Sequence, residues 1–380
     1  MSIFAHVWSL LSYIVPFIFV LSLVVFIHEL GHFLVGRWCG VQVDAFSLGF
    51  GPELFSFTDR KGTRWRVAAL PLGGYVKFHG DANGASMTDD EAAETMSAAE
   101  RSVTFFGQPV AKRAAIVAAG PIANFLLAIA IFAGTFYFYG RSVLLPRIDQ
   151  VQAGSPAEIA GFKPGDMVIS IGGKPVESFN DLQRIVSTSD GALSFRVERA
   201  GRELDLVATP RRTEINTPFG KTRAGVLGIS ANGANENWSH KDFGLIESAR
   251  LGVSETWFVI ERTGSYLAGL VIGQESADQL SGPIRIAEVS GEMAKIGFVA
   301  LLNLAAILSI SVGLLNLMPV PLLDGGHLLY YAFEALRGRA LNQKVQEFGF
   351  RVGMTLVGAL MIFATYNDIA RIARQWFNIG

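Results

Sequence analysis

Four apolar stretches, each near the length a bilayer demands, constrain this chain more than any other feature. They cover residues 8–34, 114–139 and 298–318, with a shorter one at 352–364 that spans only with its flanks. A helix rises 1.5 Å per residue, so about 20 residues cross the hydrocarbon core. In lipid every backbone amide must be satisfied internally, which makes each such run a helix. Composition agrees: half of the 380 residues are hydrophobic, 17% are charged, and the formal net charge is −1. That balance excludes a wholly water-soluble domain and offers nucleic acid no basic surface. The single cysteine, Cys39, leaves no internal disulfide to form.

No Lys or Arg precedes the first stretch, and a polar cluster interrupts its end, so it does not read as a cleavable signal. Basic residues gather on two short connections. Arg37, Lys112 and Arg113 flank the first; Arg337, Arg339, Lys344 and Arg351 lie in the second. The positive-inside rule puts both in the cytoplasm and turns residues 141–297 and both termini outward. Arg371 and Arg374 run against that orientation.

The first stretch ends in VVFIHELGHFLVG, residues 24–36. A charged side chain at mid-bilayer costs roughly 2.5–3.5 kcal/mol on insertion scales, so such a cluster is a functional hypothesis by default. His28, Glu29 and His32 form the H-E-x-x-H pattern. On a helix, positions i and i+4 share a face, so both imidazoles reach one Zn²⁺. Glu29 sits beside them, placed to take a proton from a water that the metal acidifies.

Catalytic zinc takes three protein ligands as a rule. His6, His79 and His240 lie in segments without a partner and suit surface or turn roles. NLMPVPLLDGGH, residues 316–327, ends the third stretch in a Pro/Gly-rich break. Irregular backbone at membrane depth is tolerated only where it is buried in protein or lines a cavity. Asp324 is therefore the expected third ligand, with helix capping as its alternative. His327 is expected in a local hydrogen-bonding role. Asn316 lies two turns after Ser309 on one helical face, which suits a polar stripe facing the bundle interior.

The outward region opens with a compact module over residues 144–212. Ser155, Pro156 and Glu158 read as a capping box. MVISIGGKPV reads as strand, turn, strand; Asn180 is the expected cap of a helix over DLQRIV; LSFRVERAGRELDLVATP reads as a hairpin. Residues 213–296 follow as a linker with an amphipathic helix. Phe243, Ile246, Val253, Trp257, Ile260, Leu267 and Val271 recur near helical spacing. That helix lies on the membrane, docks on the module or faces a core. Residues 81–100, acidic and poor in large apolar residues, read as a mobile cytoplasmic loop.

HELGH and NLMPVPLLDGG, together with LPLGGYVKF (70–78), GPIANFLLA (120–128) and LSGPIRIA (280–287), resemble the site-2 protease family of intramembrane zinc metalloproteases, and within it the bacterial branch that regulates sigma-E. VQAGSPAEIAGFKPGDMVISIGGKPV resembles a bacterial, protease-associated PDZ domain. That branch usually carries two; this chain has room for one.

The resemblance implies a polytopic α-helical membrane protein of about four transmembrane helices with an inserted small β-rich PDZ domain. Residues 1–140 would hold the first two helices and a membrane-associated β-loop. The PDZ domain would span 144–212 outside the cytoplasm, the linker 213–296, and the last two helices 297–380. It implies that His28, His32 and Asp324 hold zinc, with Glu29 as general base and later proton donor. Asn316 would bond the substrate backbone, interhelical hydrogen bonding being the alternative. Gly73, Gly74, Tyr75, Val76 and Lys77 would form an edge strand that pairs with extended substrate, or an ordinary interfacial hairpin.

The implied substrates are single-span membrane proteins of the anti-sigma-factor kind, cut as the second step of regulated intramembrane proteolysis. The implied location is the bacterial inner membrane, multi-pass, with the PDZ domain periplasmic, where it binds peptide or protein termini, screens substrates or serves as a spacer. Its partners would be substrate and lipid bilayer, not nucleic acid. A non-catalytic PDZ adaptor is the alternative function, but it would tolerate loss of the four site residues. A metal-ion transporter would show repeated halves with matching broken helices, a pattern not seen here.

Overall fold

The computed structural model describes residues 3–81, 96–189, 191–217, 220–231, 237–273, 282–339 and 341–377. The chain opens with α1 (Ile3–Trp38), β1 (Val43–Thr58), β2 (Arg64–Phe78), α2 (Ala98–Ser102) and α3 (Val110–Tyr139). A run of short elements follows: β3 (Arg141–Leu144), β4 (Gln150–Val151), α4 (Pro156–Ile159), β5 (Met167–Ile171), β6 (Lys174–Pro175), α5 (Phe179–Thr188), β7 (Leu193–Arg199) and β8 (Arg202–Ala208). Next come β9 (Arg211–Thr217), β10 (Gly220–Val226), β11 (Ile229–Ser230) and β12 (Trp238–Lys241). Five helices close the chain: α6 (Leu245–Val271), α7 (Pro283–Ile296), α8 (Phe298–Asn316), α9 (Asp324–Arg337) and α10 (Gln343–Phe377). Two compact units result: Met1–Gly134 with Ile246–Gly380, and Thr135–Leu245.

Among the described residues, four helices are long and apolar enough to cross a membrane: α1 from Leu10, α3, α8, and α10 over Lys344–Arg374. The last is far longer than the apolar core at 352–364, because its ends are charged. Those charges are used. Gly282 caps α7 without a side chain of its own. The buried carboxylate of Asp368, from α10, accepts the Gly282 and Arg285 amides at 3.3 and 3.0 Å. Arg371 bonds Glu288 of α7 at 2.7 Å. Arg371, one of the two arginines that ran against the charge rule, is thus paired within the protein.

Small residues let the helices approach. A Cβ on Gly31 of α1 would run into the Ala119 carbonyl of α3, and one on Gly252 of α6 would press on Ile129 and Ala133. Helix α6 therefore docks on α3 and leaves Ile246, Val253 and Trp257 exposed. Arg113 of α3 bonds Glu334 of α9 at 2.6 Å.

The β1–β2 ribbon is more elaborate than a hairpin. Ser47 pairs with both Tyr75 and Arg66, while Thr58 pairs with Arg64. Residues 43–48 therefore lie between 74–78 and 64–67, and 74–78 form an outer edge. Phe46 anchors the inner part, stacked on Trp65 at 4.5 Å and buried beside Phe33. Arg37 at the end of α1 bonds Asp59 at 2.6 Å, and the Trp65 indole donates to the same carboxylate at 3.2 Å. Burial pushes the Asp59 carboxyl up, but these donors and the Lys61 and Thr63 amides hold it at about 2. Residues 82–95 of the expected acidic loop lie outside the described residues; its end folds as α2, with a reciprocal capping box between Ser97 and Glu100.

The smaller unit packs an apolar core of Ile148, Val168, Leu182, Phe195, Val197 and Leu227 under a sheet of order β6-β5-β7-β8. Ser155 caps α4 by accepting the Glu158 amide at 3.2 Å. The Glu158 carboxylate takes the Gly154 amide instead of Ser155's, so the expected box is half made. Asn180 is not the cap of α5: the helix begins earlier, with Ser178 accepting the Asp181 amide at 3.1 Å and Phe179 buried behind it. Ala200 and Gly201, both at positive φ, make the β7–β8 turn.

The unit also extends past residue 212 into the expected linker. Strand β12 pairs with β3, and β11 with β4, so residues 229–230 and 238–241 close back on its beginning. Asp166, fully buried, bonds Arg199 at 2.6 and 2.8 Å and accepts the Lys163 amide. Burial raises the Asp166 carboxyl, yet Arg199 and that amide hold it below the usual carboxylate range.

Candidate metal centre

His28 and His32, four residues apart on α1, turn their rings to one side, with centroids 4.8 Å apart and Nε2 atoms 3.2 Å apart. The His32 Nδ1–H donates to the Ile116 carbonyl of α3 at 2.9 Å, which leaves its Nε2 lone pair facing inward. Room for both rings comes from Gly120: a Cβ there would collide with the His32 and His28 imidazoles. Asn124, one turn on, places its side-chain nitrogen 3.2 Å from His28 Nδ1, and its backbone carbonyl accepts the Ser309 hydroxyl of α8 at 2.9 Å.

Asp324 opens α9 after a tight loop. Leu322 holds φ 100°, a left-handed region that side chains rarely adopt. Gly325 and Gly326 are pressed so closely on the Leu317, Met318 and Val320 carbonyls that a Cβ would not fit, and Gly353 of α10 packs on Pro321 from the other side. The clamped loop sets Asp324 Oδ2 3.2 Å from His28 Nε2 and 3.6 Å from His32 Nε2.

These separations suit one ion. Tetrahedral zinc with bonds of 2.0–2.1 Å spaces its ligands about 3.3 Å apart. Asp324 Oδ2 is shut from solvent and accepts no hydrogen bond among the described residues. A buried, unpaired acceptor facing two imidazole nitrogens is costly on its own, and a cation relieves the cost.

Glu29 lies against the same space. Its carboxylate meets the backbone amide of Val76. Gly74 permits that approach, since a Cβ would press on the Ser47 carbonyl, Val25 and Glu29. A cavity of about 220 Å³ is lined by His28, Glu29, His32, Asp324, Asn316 and His327 together with Gly74, Tyr75 and Val76. Gly73 and Lys77 are outside its lining: Gly73 makes way for the Phe50 ring and Lys77 pairs with Ala45. His79 bonds Asp44 and His240 bonds Asp242, each at 3.1 Å and neither at this centre. The His6 side chain lies outside the described residues.

The profile of peptidase family M50 matches residues 16–360. The chain belongs to peptidase family M50. It is 52% identical, over 98% of its length and 99% of the other's, to an Agrobacterium fabrum protein carrying a provisional zinc metalloprotease name. A Rhizobium meliloti protein named in the same way is also 52% identical, over 94% of this chain and 97% of its own. Metalloprotease MmpA of Caulobacter vibrioides is 40% identical, over 94% and 95%. As a member of M50, the site-2 protease family, the chain is a zinc metalloprotease. Within it, His28, His32 and Asp324 are the group among the described residues that brings three donor atoms within 4.8 Å of one another.

The contributions of Gly120 and Asn124 escaped residue-level reading, whereas Ser309, read as part of an inward polar stripe, is buried and bonds the Asn124 carbonyl. GPIANFLLA carries no spacing rule of its own, and only the crossing of α1 with α3 shows what its glycine and asparagine touch.

Proposed function

We propose that this M50 protease cuts single-span membrane proteins within the bilayer, as the second cut of a cascade that releases a cytoplasmic fragment of the anti-sigma-factor kind. One observation carries the reading: the three donors, Glu29, Asn316 and the outer strand edge at Gly74–Val76 share one cavity, and two of the donors sit on an apolar spanning helix. His28, His32 and Asp324 would hold zinc, which supplies a Lewis acid able to bring the pKa of a water from 15.7 to about 7.

Glu29 removes a proton from the attacking water and delivers it to the leaving amine nitrogen. A peptide bond in a spanning helix is shielded by its own hydrogen bonds. The substrate must therefore unwind locally, and its freed amides and carbonyls need partners. The outer edge at Gly74–Val76 offers them by strand addition, and the Asn316 amide offers a further donor and acceptor. Small or helix-breaking residues near the scissile bond favour that unwinding.

The protein belongs, on this reading, in the inner membrane of a bacterium, with the Thr135–Leu245 module in the periplasm. That module acts as a PDZ domain, taking peptide or protein termini and screening out substrates that retain a bulky outward domain. The test is cleavage of a single-span substrate by reconstituted protein, with and without a folded outward domain on the substrate. Glu29→Gln should keep its zinc and lose cleavage roughly 100- to 10,000-fold, the range expected for a general base. Wild-type protein should favour the trimmed substrate. Undiminished cleavage by the Gln variant contradicts the role given to Glu29.

A further inference from the structure

We propose that Asn124 is a positioning residue that fixes His28 for zinc by accepting its Nδ1–H through the side-chain oxygen. The inference rests on the zinc centre described above and concerns the proton on His28. A neutral imidazole carries one N–H and one lone pair. His28 Nε2 faces His32 Nε2 and Asp324 Oδ2, so the lone pair must be there for His28 to ligate. The proton then resides on Nδ1 and needs an acceptor.

The group next to Nδ1 is the Asn124 carboxamide, nitrogen foremost, at 3.2 Å. In that arrangement Nδ1 accepts from the amide and the ring proton falls on Nε2, which is the tautomer that cannot bind metal. The same arrangement leaves Asn124 Oδ1 buried with no hydrogen-bond partner among the described residues. A half-turn of the carboxamide lets Oδ1 accept Nδ1–H, so that Nε2 presents its lone pair to the centre. The turned form is favoured once metal occupies Nε2, because only then does the Nδ1 proton meet an acceptor.

Among the described residues Asn124 is the hydrogen-bond partner of His28 Nδ1, and it is fully buried. Its backbone is held by Ser309 from α8. One turn earlier, Gly120 brings α3 against both imidazoles, which keeps the carboxamide within reach of the ring. The two histidines thus differ in how they are oriented. The backbone carbonyl of Ile116 serves His32 and survives any substitution, whereas the partner of His28 is a side chain.

The test uses full-length protein in detergent, with zinc affinity measured by competition against a chelating dye and the d–d bands of Co²⁺-loaded protein as a spectroscopic signature. Asn124→Leu, similar in size but with no acceptor, should weaken zinc binding roughly 10- to 100-fold and alter the Co²⁺ bands, the cost usual for a residue that orients a metal ligand. Asn124→Asp supplies an oxygen for Nδ1–H and should stay within a few-fold of wild type on both readouts. Rescue by Asp but not Leu is the result expected, and general loosening of the helix bundle would not produce it. Should Asn124→Leu fail to fold, Asn124→Asp decides alone: near-wild-type affinity supports the role and a large loss overturns it. Wild-type affinity and bands in Asn124→Leu overturn it as well. Wild-type protein without zinc would sink the centre itself, whereas a zinc-replete wild type with an unaffected Leu variant sinks only the role of Asn124.

Discussion

The two compact units are built in opposite senses. The Thr135–Leu245 module buries aliphatic and aromatic residues such as Ile148, Leu182 and Phe195, and its buried Asp166 is paired with Arg199. The larger unit exposes Leu10, Val15, Leu126 and Ile362, yet buries His28, Asn124, Ser290, Ser309 and Asp368. Solvent explains the inversion. Water drives the module's apolar side chains inward, worth about 25 cal/mol per Å². Between spanning helices that force is absent, because lipid is as apolar as leucine, and association relies on close packing of small residues and on polar links. Gly31, Gly120 and Gly252 supply the first, and Ser309 to Asn124 and Asp368 to the α7 amides supply the second. In the module a buried polar group is a structural detail. In the larger unit buried polar groups link helices, as Asp368 does, or gather at the candidate metal centre, as His28 and Asn124 do.

The sharpest way to break this comparison is Gly120→Val. A branched side chain there runs into both imidazoles, and zinc affinity should fall by 100-fold or more, on the order of losing a ligand's orientation outright. The module's unfolding should not change. Zinc binding at wild-type strength in this variant would mean the rings are not where the structure puts them. The reciprocal change is Phe195→Ala in the module core, expected to cost about 3–5 kcal/mol of that unit's stability while zinc content stays constant. Thermal unfolding followed alongside metal analysis checks it, and loss of zinc with the core would show that the units are not separable.

The smallest effect is a pH dependence. The Asp166 carboxyl is held below its unfolded value of about 3.9, so its contribution is complete above pH ~4 and is lost as pH falls through the folded value. Asp166→Asn should therefore flatten the module's loss of stability below pH 4 and leave the neutral range without further slope. Acid unfolding curves of the two proteins, compared over pH 2–7, decide it.

How much could be read in advance follows the same division. The four spans and the HELGH helix were legible because apolar length and i, i+4 spacing are local properties. Asp324 was singled out because a Pro/Gly break at membrane depth needs a reason. The structure sets its carboxylate beside both imidazoles. The fourth span was read short, since Lys344, Arg351, Asp368 and Arg371 dilute its ends, and the partners of Asp368 and Arg371 are distant in sequence. Gly120 and Asn124 had no local signature at all; their meaning lies in a helix crossing. In the module, β9 and β10 were lost in the expected linker because RRTEINT and KTRAGV are polar on both faces and show no alternation. The cap of α5 was misplaced by two residues for a related reason: Ser178 and Asn180 are both good caps, and only the burial of Phe179 chooses between them.

The account depends most on one ion joining α1 to the start of α9. Metal analysis of purified wild type and Asp324→Ala, after identical dialysis against a weak chelator, tests it directly. A single zinc per chain in the wild type and little or none in the variant is the expected result. Equal, stoichiometric zinc in both would contradict it.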